Sequence, residues 1–445
     1  MSVTRELARY VVESRAEDIP ADVRREARRA VVNIVGCMLG GAPEAGTGIA
    51  AGVFAPLSGP GTAGIVGRRE RMDIARAALI NGITSHYHDF DDTLPKNYIH
   101  ASPPVAAALL AYASALPVSG ADVLHAFILG FEVTSRIGNA TYPAHYDAGW
   151  HSTGTCGVFG AAAAIGKLAG LSVDEMVGAF GLAATQASGI REMFGSMAKP
   201  FHAGHAARNG YESALLAKAG FTSGPRALEG PRGFAHVLAA ARDLSKVTDR
   251  LGAAYDLRHN TYKPFPCGIV NHPAIDAAIQ LHDEHAIDHA AIRAVRLEVA
   301  PLVIDLCGKT AISTGLEGKF SVVHGAAVGL VRGRAGLAEY TDDAVADPAV
   351  KRVRELAVRE SDPAIGEDGV HLVVELADGT RLEKRLEHSL GNLERPLSDA
   401  QLSAKFTDQA LRVLSTDAAE RALAMAWTVD DLPNVADLVA ATVPA

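Results

Sequence analysis

Between Gly157 and Gly189 the chain is dominated by alanine, glycine and other small or apolar residues. Side chains this short let helix backbones approach closely, so the stretch has to pack as crossing helices around a dense core. Its two ends differ from its middle. GWHSTGTCG (Gly149 to Gly157) leads in with Trp150, His151, Ser152, Thr153 and Thr155, and SMAKPFHAGHAARNGYE (Ser196 to Glu212) follows with Lys199, His202, His205 and Arg208. A lone histidine in a turn-rich run and a compact basic cluster read as two walls of a pocket for an anionic ligand, or else as a solvated loop and a helix end.

Helical periodicity recurs through the first 250 residues. Apolar positions 23, 27, 30, 31, 34, 35 and 38 keep a helical period that Gly40-Gly41 is expected to end. Met72 to Thr84 reads as a second helix, and Ser119 with Asp122, then Ser172 with Glu175, mark two more helix starts. After about residue 285 the pattern changes. Ala294 to Val299 alternates as a strand, and Val370–Leu376, Asp378-Gly379 and Arg381–Leu386 form a hairpin signal, with a helical stretch from Ser321 to Arg332 between them. Ser398 with Gln401 caps a further helix, and helical composition then returns. The expected fold is mainly α: a large all-helical domain formed by both chain ends (1–260 with 391–445) and an inserted, smaller α+β lid domain (261–390). A chain of 445 residues is long enough for two cores.

Several classes are excluded by composition. A formal net charge of −9 argues against a nucleic-acid partner. Four cysteines, widely spaced and without CxxC, exclude a zinc ribbon and fit a reducing cytoplasm. The stretch MSVTRELARYVVESRAEDIP has no apolar signal-peptide core, and no long apolar run suggests a membrane span.

Three stretches carry ionisable side chains at unusual density. His86, His88, Asp89, Asp91 and Asp92 fall within seven residues, followed by Thr93 and His100. That crowding suits acid/base work or a divalent metal, or an aspartate-rich loop that caps the helix starting near Pro104. In the second stretch Lys199 precedes Pro200, which predicts an extended or turn position rather than a mid-helix one. In the third, TYKPFPCGIVNHPAIDA (Thr261 to Ala277), two prolines fix Lys263, Cys267 and His272 at the domain junction, with Cys267 read as an inert buried thiol.

These stretches, with GKFSVVHGAA (Gly318 to Ala327) and PLSDAQLSAKF (Pro396 to Phe406), resemble the MmgE/PrpD family of 2-methylcitrate dehydratases, cis-aconitate decarboxylases and iminodisuccinate epimerases. The resemblance spans almost the whole chain. It implies a homodimer, no cofactor, and an active site at the domain interface with Asp89, Thr93, His100, His151, Lys199 and Lys263 at family site positions; the motifs themselves offer no four-ligand set, so no metal is expected. The chain departs from the decarboxylating members at Gly268, where they carry a histidine, at His324, where they carry a tyrosine, and in a Thr93–His100 loop one residue longer.

The chemistry implied is proton abstraction α to a carboxylate in a small di- or tricarboxylate, which needs a base and fixed cations. Sequence alone assigns His151 and Lys199 to proton transfer, Asp89 to orienting a base and His100 to the leaving group. Thr93, Lys263 and Arg208 would hold carboxylates, with His272 or His324 as a second base. A dehydratase-type lyase is the leading expectation and a dicarboxylate epimerase the alternative. A metal-dependent phosphohydrolase and a non-catalytic carboxylate binder are the more distant readings.

Overall fold

A computed structural model describes residues Ser2–Ala445. The architecture is mainly α, with two hydrophobic cores. One core runs from Leu7 to Tyr262 and resumes at Leu397, so both chain ends build it. The other is assembled from residues 265–374, joined by Tyr98 and Tyr146 from the first part of the chain.

The helical part is organised by α1 (Ala21–Gly41), α2 (Ile74–His86), α3 (Ser102–Ala115), α4 (Gly120–Thr141), α5 (Ser152–Leu168), α6 (Val173–Ala184) and α7 (Ala198–Lys218). Ser119 and Ser172 accept from the backbone N–H three residues on, so the capping positions act as the sequence predicts. Helix α7 lies across α5 and α2, while α4 and α3 pack on α5. Glycines make these crossings possible. A Cβ on Gly82 would sit 2.6 Å from Gly204 N, one on Gly130 2.7 Å from the Gly160 carbonyl, and one on Gly210 2.7 Å from the Val158 carbonyl. Helix α1 ends at Gly41, where the Gly40-Gly41 pair predicts its end. A Cβ on Gly41 would collide with the Thr84 backbone, so the same glycine also permits close approach. The helical part is not purely α, since Ala63–Gly64 pairs with Arg71–Met72 in a short antiparallel ribbon.

The smaller unit holds a four-stranded sheet in the order Ala357–Ser361, Ile292–Val299, Val370–Leu376, Arg381–Leu386. The first pair is parallel and the other two antiparallel. The strand Ala357–Ser361 has no signal in the sequence because it is a half-exposed edge of mixed polarity. Helices α8 (His272–His285) and α9 (Val322–Arg332) pack together beside this sheet. Helix α10 (Asp399–Ala410) returns to α1. No helix among the described residues is long and apolar enough to cross a membrane.

The α2–α7 crossing places the end of α2 beside the start of α7, and with them the histidine-aspartate cluster beside Lys199. Gly204→Ala puts a methyl group into the Leu79 backbone at this crossing. Overpacking of this kind costs about 1–3 kcal/mol. The expected result is a lower urea midpoint than wild type; an unchanged midpoint would show that the crossing is slack.

Candidate active site

Helix α2 ends at His86, and the chain then turns sharply. Asp89 takes a left-handed backbone conformation (φ 53°), which costs energy for a residue with a side chain and persists only where surroundings enforce it. The enforcement comes from Lys263, whose ammonium donates to the Asp89 carbonyl at 3.0 Å, to Asp89 Oδ1 at 2.8 Å and to the Cys267 carbonyl at 3.1 Å. Lys263 reaches this place because Thr93 and Thr261 exchange backbone hydrogen bonds of 2.9 and 3.0 Å, zipping the loop to the domain junction. Lys405, on α10, closes the rear of the zipper. Its buried ammonium donates to the carbonyls of Phe90 (2.6 Å) and Lys263 (2.8 Å) and to Asn33 Oδ1 (2.7 Å).

Asp89 Oδ1 also holds Lys199 Nζ, at 2.6 Å. Two buried ammoniums therefore share one carboxylate oxygen, yet they are not equivalent. Lys263 uses all three N–H bonds on protein acceptors. Burial pulls its pKa down, but Asp89 and Asp91 outweigh that and leave it above the ordinary lysine value. Lys199 has Asp89 as its ion-pair partner and otherwise faces the rings of Phe194 and Phe320 at 5.1 and 5.3 Å. Burial, reinforced by Lys263, outweighs Asp89 and lowers its pKa. Contrary to the expectation from Pro200, Lys199 is helical, in the first turn of α7. Proline is tolerated there because first-turn N–H groups have no helical acceptor.

His86, His100, His151 and His202 line up beside the ion pair. His86 Nδ1 lies 2.8 Å from Asp91 Oδ1, and burial pushes its pKa down to about 4. His100 Nδ1 lies 2.9 Å from the Asp92 carbonyl and 2.9 Å from Asp91 Oδ2. Both are acceptors, so Nδ1 carries a proton, and Nε2 lies 3.7 Å from Asp89 Oδ1. His151 is the N-cap residue of α5, and its Nδ1 is 2.9 Å from His202 Nδ1, one ring donating to the other. Burial, with His202 and Lys199 nearby, holds His151 well below the ordinary histidine value.

These groups face a small cavity of about 40 Å³ at the junction of the two cores. Asp89, Thr93, His100, His151, Lys199 and Lys263 all line it. Three expected residues stand outside. Arg208 is turned to Asn209, its Nε and Nη2 bonding Oδ1 at 3.1 and 2.9 Å. His272 packs edge-on against Phe265, and His324 Nε2 contacts the Glu339 carbonyl at 3.0 Å. Lys199, nine residues and so about two and a half turns from Arg208, points to a different side of α7. The cavity also takes Tyr98, Tyr146, Phe194, Leu306, Cys307 and Phe320, which the sequence reading missed. Phe320 lies within the quoted GKFSVVHGAA and Tyr98 within the Thr93–His100 loop, while Phe194 and Tyr146 sit a few residues before quoted motifs; Tyr98, like Asp89, has a left-handed backbone (φ 55°). Cys267 is buried and its thiol is pushed up to about 11, so it is inert.

His86, Asp89, Asp91 and His100 offer four donor atoms within 4.8 Å of one another, a spacing a metal could use. The charges disfavour it. Two ammoniums already occupy Asp89 Oδ1, and both Asp91 oxygens lie against imidazole nitrogens.

The buried rings set a pH dependence. Burial holds His86, His88, His145, His202 and His324 at about 4 and His272 at about 3. The unfolded chain takes up these protons near pH 6.5, so the folded state loses stability as pH falls from 6.5 toward 4. Asp92, pushed up to about 6, and Glu132, up to about 7, act in the opposite sense, their stability lost as pH rises through those values. Six rings against two carboxyls give the expected outcome: a lower apparent melting temperature at pH 5 than at pH 7.5. An equal or higher one would mean the rings are protonated in the fold.

The family description "MmgE/PrpD N-terminal domain" matches residues 5–246, and "MmgE/PrpD C-terminal domain" matches residues 265–431. A cis-aconitate decarboxylase-like protein of Aspergillus oryzae is 28% identical, over 99% of this chain and 97% of its own length. The cis-aconitate decarboxylase of Mus musculus is 27% identical, over 82% of this chain and 77% of its own. The 2-methylcitrate dehydratase of Cupriavidus necator is also 27% identical, covering 76% and 75%. With both halves matched in order along nearly its whole length, the chain belongs to the MmgE/PrpD family.

Proposed function

We propose that this protein is a cytoplasmic, cofactor-independent lyase of the dehydratase type, acting as a homodimer. In this reading it removes a proton α to a carboxylate of a small polycarboxylate and expels a β-hydroxyl. Relatives that cleave or dehydrate such acids support the lyase class. The observation that carries the chemistry is the convergence of two imidazoles and one lightly partnered ammonium on a single cavity.

The His100 tautomer alters the roles expected from sequence. With its proton on Nδ1, Nε2 can only accept, so His100 takes the α-proton and becomes an imidazolium flanked by Asp91 and Asp89. The C–H electron pair moves toward the carboxylate, whose growing charge Lys199 stabilises at short range in a dry site. As the pair returns to form the double bond, the β C–O bond breaks and the hydroxyl leaves as water with the proton of the His100 imidazolium, which returns His100 to its neutral form. His151, with His202 donating to its Nδ1 across their 2.9 Å contact, keeps its Nε2–H as a hydrogen-bond donor to the departing oxygen. Lys263, with no N–H to spare, stays a fixed cation that holds Asp89.

An epimerase is the second reading, favoured by two imidazoles lining one cavity. His100 and His151 would then serve as the opposed bases, in place of His272 and His324.

Lys199→Met, His100→Gln and His151→Gln are each expected to lower kcat/KM by ~100-fold or more, the usual worth of a positioned acid/base group, with the melting temperature retained. Near wild-type turnover in any of them removes that residue from the mechanism. Turnover in D₂O separates the two reactions. A new alkene absorbance marks the lyase, whereas α-deuterium with inverted configuration and no alkene marks the epimerase. Activity is expected to survive a chelator; loss restored by a divalent ion would favour a metal-dependent hydrolase.

A further inference from the structure

The wall of the cavity facing the ionisable groups restricts what the substrate can carry. We infer that the substrate has no more than two carboxylates and presents an uncharged hydrocarbon end to the wall formed by Gly268, Ile269, Val270, Leu306 and Cys307. This rests on the carboxylate reading above and narrows it.

The first argument is charge. Each carboxylate taken out of water needs a cation or hydrogen-bond donors in exchange. The lining supplies two cations, Lys199 and Lys263, against one anion, Asp89. Lys263 is saturated by three protein acceptors. That leaves Lys199 for one carboxylate, with the Thr93 hydroxyl as a neutral donor for a second. Among the described residues no arginine lines the cavity. Arg191, the guanidinium stacked on Tyr146 at 4.2 Å, is committed to the Tyr146 carbonyl and to Asp305. The Tyr98 hydroxyl is likewise spent on Glu367.

The second argument is the wall. It carries no cation, and its one polar side chain is the Cys307 thiol, which burial keeps protonated. Packing makes this permanent. A Cβ on Gly268 would lie 2.6 Å from Cys307 Sγ, so a side chain cannot be added there without displacing Cys307, and the Gly268 N–H is already given to the Lys319 carbonyl at 3.0 Å. A third carboxylate on that side would lose its hydration without a charge to replace it, whereas a methyl or methylene group gains by burial.

The test uses three saturated acids that have nothing to eliminate, titrated calorimetrically into the full-length protein at pH 7.5. Methylsuccinate is expected to bind at least tenfold more tightly than propane-1,2,3-tricarboxylate, and roughly fourfold more tightly than succinate, the worth of one buried methyl group. Leu306→Lys, which puts an ammonium on the wall, is expected to narrow the first gap at least fivefold; the wild-type comparison stands by itself if that variant does not fold. Deuterium uptake from D₂O by 2-methylmalate is followed separately. Equal or tighter binding of the tricarboxylate overturns the inference, and with deuterium uptake present it leaves the proton-transfer reading intact. Equal binding of succinate and methylsuccinate overturns the hydrocarbon end. Absence of both binding and uptake overturns this inference and the carboxylate reading together.

Discussion

Asp89 Oδ1 holds two ammoniums, and much of the surrounding structure exists to keep that arrangement in place. Two like charges beside one oxygen repel each other, and the carboxylate between them is what makes the pair tolerable in a dry interior. The carboxylate itself is aimed by a left-handed backbone at Asp89, which Lys263 secures from the junction and Lys405 supports from behind. Three remote parts of the chain, around residues 89, 263 and 405, thus meet at one point, and a fourth, around residue 199, arrives through the α2–α7 crossing. The asymmetry of the two lysines follows from this. One is used up in holding the geometry, and the other is left for a ligand.

The same frame explains why His86, His151 and His202 are held below the ordinary histidine value. Each is buried among cations or other rings, and of the three only His86 touches a carboxylate. Neutral imidazoles with fixed tautomers can distinguish accepting from donating a proton, and a wet, mobile set could not. The apolar wall across the cavity belongs to the second core, so substrate chemistry and substrate shape are read by different halves of the molecule.

Much of this was legible in the sequence. The helices, their serine caps and the hairpin follow from local periodicity and turn chemistry, and the clustered histidines, aspartates and lysines signalled a site. Misreadings arose where local rules met tertiary packing. Lys199-Pro200 resembled a turn because a proline's effect depends on whether it falls in a helix's first turn. Arg208 and His272 were grouped with the site through the motifs that hold them and His324 through the family resemblance, whereas orientation on α7, α8 and α9 is set by packing. Tyr98, Tyr146 and Leu306 carried no signal, since an aromatic or aliphatic lining residue looks like any other core residue.

Lys405 lies about forty residues from the last position of the chain and yet grips the carbonyls of Phe90 and Lys263. During synthesis, residues 89 and 199 leave the ribosome long before their rear support exists. The insertion, with its own core, is complete earlier, because its strands and helices are contiguous in sequence. The helical part must therefore wait, partly assembled and with apolar faces of α1 uncovered, until α10 emerges to cover them. A chain arrested or clipped before α10 would retain every residue that lines the cavity and still lack the means to hold them in register. Quality control that recognises exposed apolar helix faces would see such a chain as unfinished, however complete its active-site sequence.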